Sequence, residues 1–271
     1  MKVFGIIGDP VDHSLSPVLF NAAFKATKTE AVYGTFHVSP GDLERAISGA
    51  KALGVQGLNV TTPHKETVLE FVEPDDEATA IGAVNAIDLT ADPPVGWNTD
   101  VMAMRAVLDA LDTESGVALV LGAGGAAQAY TYALDGAGWQ LIIANRTHER
   151  AQRLAQERAQ ASAIELTEAT AWIDEADLIL NATTVGLDEP DQTPIDPTRI
   201  TSDHVVIDAI YGEHDTRLVR EARAAGAHCI SGGHLLLLQA VGCFERWIHT
   251  TAPQETMAKA LEDALGAYAG V

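Results

Sequence analysis

Cations are scarce in this chain: 17 Lys and Arg stand against 38 Asp and Glu, a formal net charge of −21 over 271 residues. Lysine occurs only at Lys2, Lys25, Lys28, Lys51, Lys65 and Lys259. A surface so poor in cations repels polyanions, which argues against nucleic acid and anionic membranes as partners. The acidic excess lies well beyond the roughly 2–8 charges suited to a small domain, and together with the scarce lysine it points to a cytoplasm of high salt. Cysteine is almost absent. Cys229 and Cys243 have no paired spacing and no nearby set of His or Cys ligands, so neither a disulfide framework nor a metal site is expected, and both read as reduced core residues. Long apolar runs are missing too. The first, from Val3, ends at Asp9, and the richest, Leu235 to Leu238, is broken by Gln239 and followed by Glu245 and Arg246. Nothing here has the length of a signal-peptide core or a bilayer span, and a soluble cytoplasmic protein is expected.

What the chain does contain is two series of alternating strand-like and helix-like segments. In the first, Val3–Gly8, Tyr33–Val38 and Val55–Thr61 read as strands, while Ser16-Pro17 and Ser39-Pro40 read as N-caps followed by proline at the first helical position. Gly54 stops the second helix. This βαβ alternation predicts a mostly parallel sheet covered by helices. A second series follows, with apolar runs of buried-strand length at Val117–Leu121, Gln140–Asn145, Asp177–Asn181 and Val205–Ile210. It predicts a doubly wound nucleotide-binding domain. A helix from Val101 to Leu111 bridges the two series. The last helices are expected at Leu235–His249 and Glu255–Tyr268, with Met257, Leu261, Leu265 and Tyr268 on one face of the final one.

Between the strand at Val117 and its helix lies Gly122-Ala123-Gly124-Gly125-Ala126-Ala127. It fits the Gly-x-Gly-x-x-Gly/Ala pattern, whose first glycine makes a tight turn and whose second lets backbone N–H groups approach a pyrophosphate. Strand, loop, helix and second strand stand in the required order. At the end of that second strand an NAD-binding domain would place Asp or Glu for the ribose hydroxyls. This chain has Asn145-Arg146-Thr147, with Arg150 one turn further, a pattern that favours the 2′-phosphate of NADP, although arginines are more often simply solvated.

Several polar residues fall at expected strand ends in the first series. Asn59 and Thr61 are two apart and share a side of their strand, and Pro63-His64-Lys65 puts a lysine just beyond it. Asn85 and Asp100 sit in loops, and Gln239 in an apolar helix. From local sequence alone Ser16 reads equally well as a helix cap, Asp100 as a cap of the helix at Val101, Asn85 as a turn residue and Gln239 as a satisfied buried amide.

Taken together, Gly8-Asp9-Pro10, His13-Ser14-Leu15-Ser16-Pro17, the stretch from Gly57 through Asn59 and Thr61 to Lys65, Gly82-Ala83-Val84-Asn85, Asn98-Thr99-Asp100, the glycine loop, Asn145-Arg146-Thr147, Asn181-Ala182-Thr183-Thr184-Val185-Gly186 and Gln239 after Gly232-Gly233 resemble the shikimate dehydrogenase family over nearly the whole chain. The resemblance implies an α/β protein of two domains. The N-terminal, mostly parallel α/β substrate domain would comprise residues 1–101 plus 235–271, and the Rossmann-type doubly wound NADP domain residues 102–234, with a cleft between them. It implies NADP-dependent reduction of 3-dehydroshikimate to shikimate. Lys65 and Asp100 would be the catalytic pair, and Ser14, Ser16, Asn59, Thr61, Asn85, Asp100, Tyr211 and Gln239 would hold the substrate. Gly122, Ala123, Gly124, Gly125, Ala126, Asn145, Arg146, Thr147, Arg150 and Gly232 would hold the cofactor. No metal is implied, and a homodimer is left open. The chain departs from the family pattern at His234 and Leu235, where glycine and methionine are usual, at Ala103, where glycine is usual, and after Tyr211, where a proline is missing. These departures bear on nicotinamide contacts more than on substrate. The rival readings are a quinate or dual quinate/shikimate dehydrogenase, a ligand-sensing relative without catalysis, and a nucleotide-binding module acting on another carbonyl.

Overall fold

The computed structural model describes residues 1–111 and 114–266. The chain forms two compact units, one of Met1–Ala103 with Leu236–Ala264, the other containing Met104–Leu235. Three helices, Asp100–Ala110, Gly232–Ile248 and Gln254–Leu265, contribute residues to both, so the divide runs through helices. Leu265 and Gly266 group with the second unit.

The first unit is built on a six-stranded sheet of β1 (Lys2–Gly8), β2 (Ala31–His37), β3 (Gly57–Val60), β4 (Glu73–Pro74), β5 (Ala86–Asp88) and β6 (Val95–Trp97), in the order β2-β1-β3-β5-β6-β4. β1 runs parallel to β2 and β3, and β4 parallel to β6; β5 runs antiparallel to both its neighbours. The β5–β6 hairpin escapes the sequence reading because strands of three residues carry almost no periodicity. Helices α1 (Ser16–Ala26), α2 (Leu43–Ala52) and α3 (Asp76–Ile81) belong to this unit. α1 buries Leu19, Phe20, Ala23 and Phe24, a helical stripe that meets an aromatic layer. In that layer Phe20 stacks on Tyr33 with centroids 4.4 Å apart, and Phe4 lies 5.1 Å from Trp247. Trp247 explains one glycine: a Cβ on Gly57 would lie 2.5 Å from its indole, whose N–H donates to the Ile87 carbonyl at 3.2 Å.

After α4 (Asp100–Ala110), the second unit forms a wholly parallel sheet of β7 (Val117–Leu121), β8 (Gln140–Asn145), β9 (Ala161–Glu165), β10 (Leu178–Asn181), β11 (Val205–Asp208) and β12 (His228–Ile230). Its order, β12-β11-β10-β7-β8-β9, is the doubly wound arrangement in which strand order reverses between β7 and β10. Ala118 through Leu121 are all fully buried, as a strand covered on both faces by helices requires. The helices are α5 (Gly125–Gly136), α6 (His148–Gln156) and α7 (Arg217–Ala224). β9 has no fully buried residue and no apolar run, which hid it in the sequence.

α8 (Gly232–Ile248) and α9 (Gln254–Leu265) close the described chain. Met257, Leu261 and Leu265 share a buried face of α9; Tyr268 lies outside the described residues. Both cysteines are free thiols, but only Cys243 is core, since Cys229 is partly exposed on the terminal strand β12. No helix among the described residues is long and apolar enough to cross a membrane.

Candidate active site

The polar residues of the first unit join into one hydrogen-bonded chain. It starts at Tyr33 on β2, whose hydroxyl donates to Asn59 Oδ1 at 2.7 Å. Asn59 Nδ2 donates to the Asn85 carbonyl at 3.1 Å and approaches Cys243 Sγ at 3.5 Å. Asn85 Nδ2 donates to Asp100 Oδ1 at 2.9 Å, and its Oδ1 accepts the Thr99 N–H at 2.7 Å. The chain ends where Lys65 Nζ meets Asp100 Oδ2 at 2.5 Å, with the two side chains 15% and 7% exposed. Buried polar groups persist in a core only when partnered, and each member here is.

Local structure frees Asp100 for this pairing. Asn98 Oδ1 accepts the N–H groups of Asp100 and Val101 at 2.9 and 3.4 Å, so Asn98 caps α4 and the Asp100 carboxylate is not spent on its own helix. Lys65 is fixed by its backbone: its carbonyl accepts the Val84 N–H at 2.8 Å, while the neighbouring His64 ring bonds the Val38 carbonyl at 2.6 Å. Gln239 on α8 is buried, with Nε2 bonded to the Leu236 carbonyl and Oε1 3.5 Å from Thr99 Oγ1.

Ser14 and Ser16 are buried at the start of α1 but lie outside this chain of bonds. The sequence reading of Ser16 as an N-cap is corrected. Leu15 occupies the cap position, Ser16 is the first helical residue, and its N–H donates to Ser14 Oγ at 3.3 Å, because the chain turns one residue earlier than Ser-Pro suggests. Thr61 is half-buried just past β3. Sequence reasoning passed over Tyr33 and the capping role of Asn98. A tyrosine within an apolar strand, needing a buried partner for its hydroxyl, was the available signal for the first.

In the second unit the glycine loop is a cradle. Gly122 has φ +111°, and a Cβ there would lie 2.8 Å from the Ala182 carbonyl oxygen. Gly124 caps α5 in extended conformation with no side chain bonding the helix end, and a Cβ on it would meet nothing within 4 Å. Ala123 lies between them, and Gly125 and Ala126 open α5, so the N–H groups of its first turn face an open approach that suits a pyrophosphate. Asn145 ends β8 and its Nδ2 donates to the Thr147 carbonyl at 2.9 Å; Arg146 and Thr147 are exposed beside it. Arg150 does more than face solvent or a phosphate: its Nε donates to the Ala123 carbonyl at 3.1 Å and braces the glycine loop.

Tyr211 lies in this unit, half-buried in the loop after β11, and Gly232 opens α8. A Cβ on Gly232 would lie 2.4 Å from the Ala209 carbonyl oxygen, so backbone crowding alone accounts for that glycine. Leu235 is buried, and burial pushes the His234 imidazole below its usual range, with Nδ1 buried and unbonded among the described residues. No group of three or more His, Cys, Asp or Glu among the described residues is arranged to hold a metal.

Residues 6–87 match the family model described as the shikimate dehydrogenase substrate binding domain, and residues 105–188 match that of shikimate / quinate 5-dehydrogenase. The NADP(+) shikimate dehydrogenase of Natronomonas pharaonis, one of several such relatives from halophilic archaea, is 46% identical over 98% of this chain and 100% of its own length. A shikimate dehydrogenase solved in complex with NADP+ is 35% identical with a TM-score of 0.89, covering 98% of this chain and 96% of the other. The Thermus thermophilus enzyme solved with NADP(H) and shikimate is 33% identical with a TM-score of 0.87, covering 97% and 100%. With a relative matched at 46% identity along its full length and family models matching both halves, the chain belongs to the shikimate dehydrogenase family of NADP-dependent oxidoreductases.

Proposed function

We propose that the chain catalyses the reversible NADP-dependent reduction of 3-dehydroshikimate to shikimate, with Lys65 exchanging the proton and Asp100 holding Lys65 in place. The observation that carries this reading is the Lys65–Asp100 pair, 2.5 Å apart and largely shielded from solvent. An ammonium has three donors. One is engaged by Asp100, which leaves two to meet a substrate oxygen. Asn85 occupies the other Asp100 oxygen and prevents the carboxylate from rotating away from the lysine.

When bound, NADPH supplies the hydride that converts the ketone to an alcohol. The charge that develops on the ketone oxygen needs a proton, and a positioned acid accelerates such a step by ~10²–10⁴. Lys65 delivers that proton, and in the reverse direction removes it from the alcohol. Ser14 and Ser16 meet the substrate carboxylate at the start of α1, while Thr61, Asn59, Asn85 and Gln239 frame the ring hydroxyls. Asn59 and Asn85 already bond within the protein, so their part is chiefly to hold the pocket's shape. Tyr211 is a further residue assigned to the substrate.

Gly122 through Ala126 hold the pyrophosphate, Asn145 and Thr147 border the adenosine end, Gly232 sets the backbone course at the start of α8, and Arg146 meets the 2′-phosphate. The 1–101 and 235–271 segments serve the substrate and 102–234 the cofactor, with the boundary adjusted to the helices that cross it. We place the protein in the cytoplasm. The deciding assay follows NADP+ reduction with shikimate, beside quinate and beside NAD+. The shikimate–NADP+ combination should have the highest specificity constant, and an equal or higher value for quinate would assign the chain to the quinate-oxidising branch.

A further inference from the structure

The second unit contains a carboxylate that no step of the reaction uses. Asp208 ends β11 with no exposed surface. Three donors converge on it: Asn181 Nδ2 at 3.0 Å, the Ile210 N–H at 3.1 Å and the Thr216 hydroxyl at 2.5 Å. Each partner belongs to a different part of the sheet's carboxyl edge. Asn181 ends β10 and, through Oδ1, accepts both the N–H and the hydroxyl of Thr183, whose Oγ1 in turn accepts the Val185 N–H. Thr216 caps α7 by accepting the Val219 N–H. One buried side chain therefore sets the course of the 182–186 loop, the 209–216 loop and the start of α7.

The position of these loops gives the arrangement a purpose. β10 and β7 flank the point where strand order reverses, the edge at which doubly wound sheets take their ligands. The 182–186 loop also touches the glycine cradle, since the Ala182 carbonyl and the Thr183 methyl are what a Cβ on Gly122 would strike, at 2.8 and 3.3 Å. Burying a carboxylate is costly, and it is retained where its bonds specify one arrangement among several.

We infer that Asp208 is a positioning residue for NADP, holding the loops after β10 and β11 in the shape the cofactor meets. This rests on the cofactor reading above. Burial against its three donors puts the Asp208 pKa at about 6. The charged and titratable groups around it are Asp215, in the 209–216 loop and paired with Arg223 at 2.6 Å, Arg220, bonded to the Asp215 carbonyl, and Cys229 on β12.

The test compares Asp208→Ala with Asp208→Asn by direct titration of NADP+ binding to the full chain in high salt, with shikimate titrated separately. Asparagine keeps an acceptor for Asn181 and Ile210 and sets its amide against the Thr216 oxygen. Alanine leaves all three donors unmet, and a buried unmet group costs enough to change an equilibrium by about tenfold or more. Asp208→Ala should therefore raise the NADP+ Kd by about tenfold or more, Asp208→Asn should restore it to within about threefold, and shikimate affinity should be unchanged in both. In the apo protein the Val185 amide should exchange faster in the alanine variant. If Asp208→Ala does not fold, Thr183→Val removes only the hydroxyl between Asn181 and Val185, and it should weaken NADP+ binding with the fold intact. An alanine variant, or in its place Thr183→Val, that binds NADP+ as the unmodified chain does overturns the inference, as does a loss shared equally by the asparagine variant or by shikimate. Failure of the unmodified chain to bind NADP+ would instead overturn the cofactor reading and this inference with it.

Discussion

Arg146 and Arg150 lie four residues apart near the tip of β8, yet they are engaged differently. Arg150 bonds the Ala123 carbonyl, whereas Arg146 stands exposed at the strand end. Charge-assisted bonds contribute roughly 1.5–3 kcal/mol, so Arg146→Ala should reduce the preference for NADP+ over NAD+ by about 10–100-fold. Arg150→Ala should loosen the glycine loop and weaken both cofactors together. Specificity constants for the two cofactors in both variants separate these roles, and an unchanged ratio in Arg146→Ala would remove that residue from the site. The sequence could name both arginines but not divide their work, because Arg150's bond depends on a loop 27 residues away along the chain. The same holds for Asp100. Local sequence left it between helix cap and catalyst; Asn98 takes the capping bonds of α4, and the Asp100 carboxylate is bonded instead to Lys65 and Asn85.

Element by element, legibility follows burial and length. β7 and β8 were readable to the residue, because strands covered on both faces are continuous apolar runs. β5, β6 and β9 were not: the first two are three residues long and the third is half-exposed. Gly57 was visible only as a glycine, since its reason is the indole of Trp247, distant in the chain. Gly57→Ala should strain that contact and destabilise the first unit by about 1–3 kcal/mol, measurable by denaturant unfolding. At the tip of β11, Asp208 gives a prediction with a definite sign. Its pKa is about 6 in the folded protein against the ordinary 3.8, so the folded state holds this proton more tightly than the unfolded chain. The stability it contributes is fully present below 3.8 and is lost as pH rises through about 6. The stability difference between the unmodified protein and Asp208→Asn should therefore shift against the unmodified protein from about pH 4 to about pH 6, and then level off. Denaturation of both proteins across that range checks it, and a difference independent of pH would show that Asp208 keeps an ordinary carboxyl.

At the scale of the whole molecule the dominant fact is the net charge of −21. Repulsion among so many carboxylates destabilises the compact state when screening is weak, and the screening length falls from about 10 Å at 0.1 M salt to about 3 Å at 1 M. Thermal unfolding should shift upward by more than about 10 °C between about 0.1 M and about 3 M KCl, with activity rising in parallel. A shift of a few degrees with full activity in dilute salt would contradict the high-salt reading while leaving the chemistry untouched. The proposed chemistry rests on the part-buried lysine–aspartate pair, and steady-state kinetics of Lys65→Ala in molar KCl test it most directly. The account predicts that kcat for shikimate oxidation falls by on the order of 10²-fold or more while KM for shikimate stays within several-fold, because the lysine acts in the transition state. A variant that retains near-normal kcat at neutral pH would contradict it.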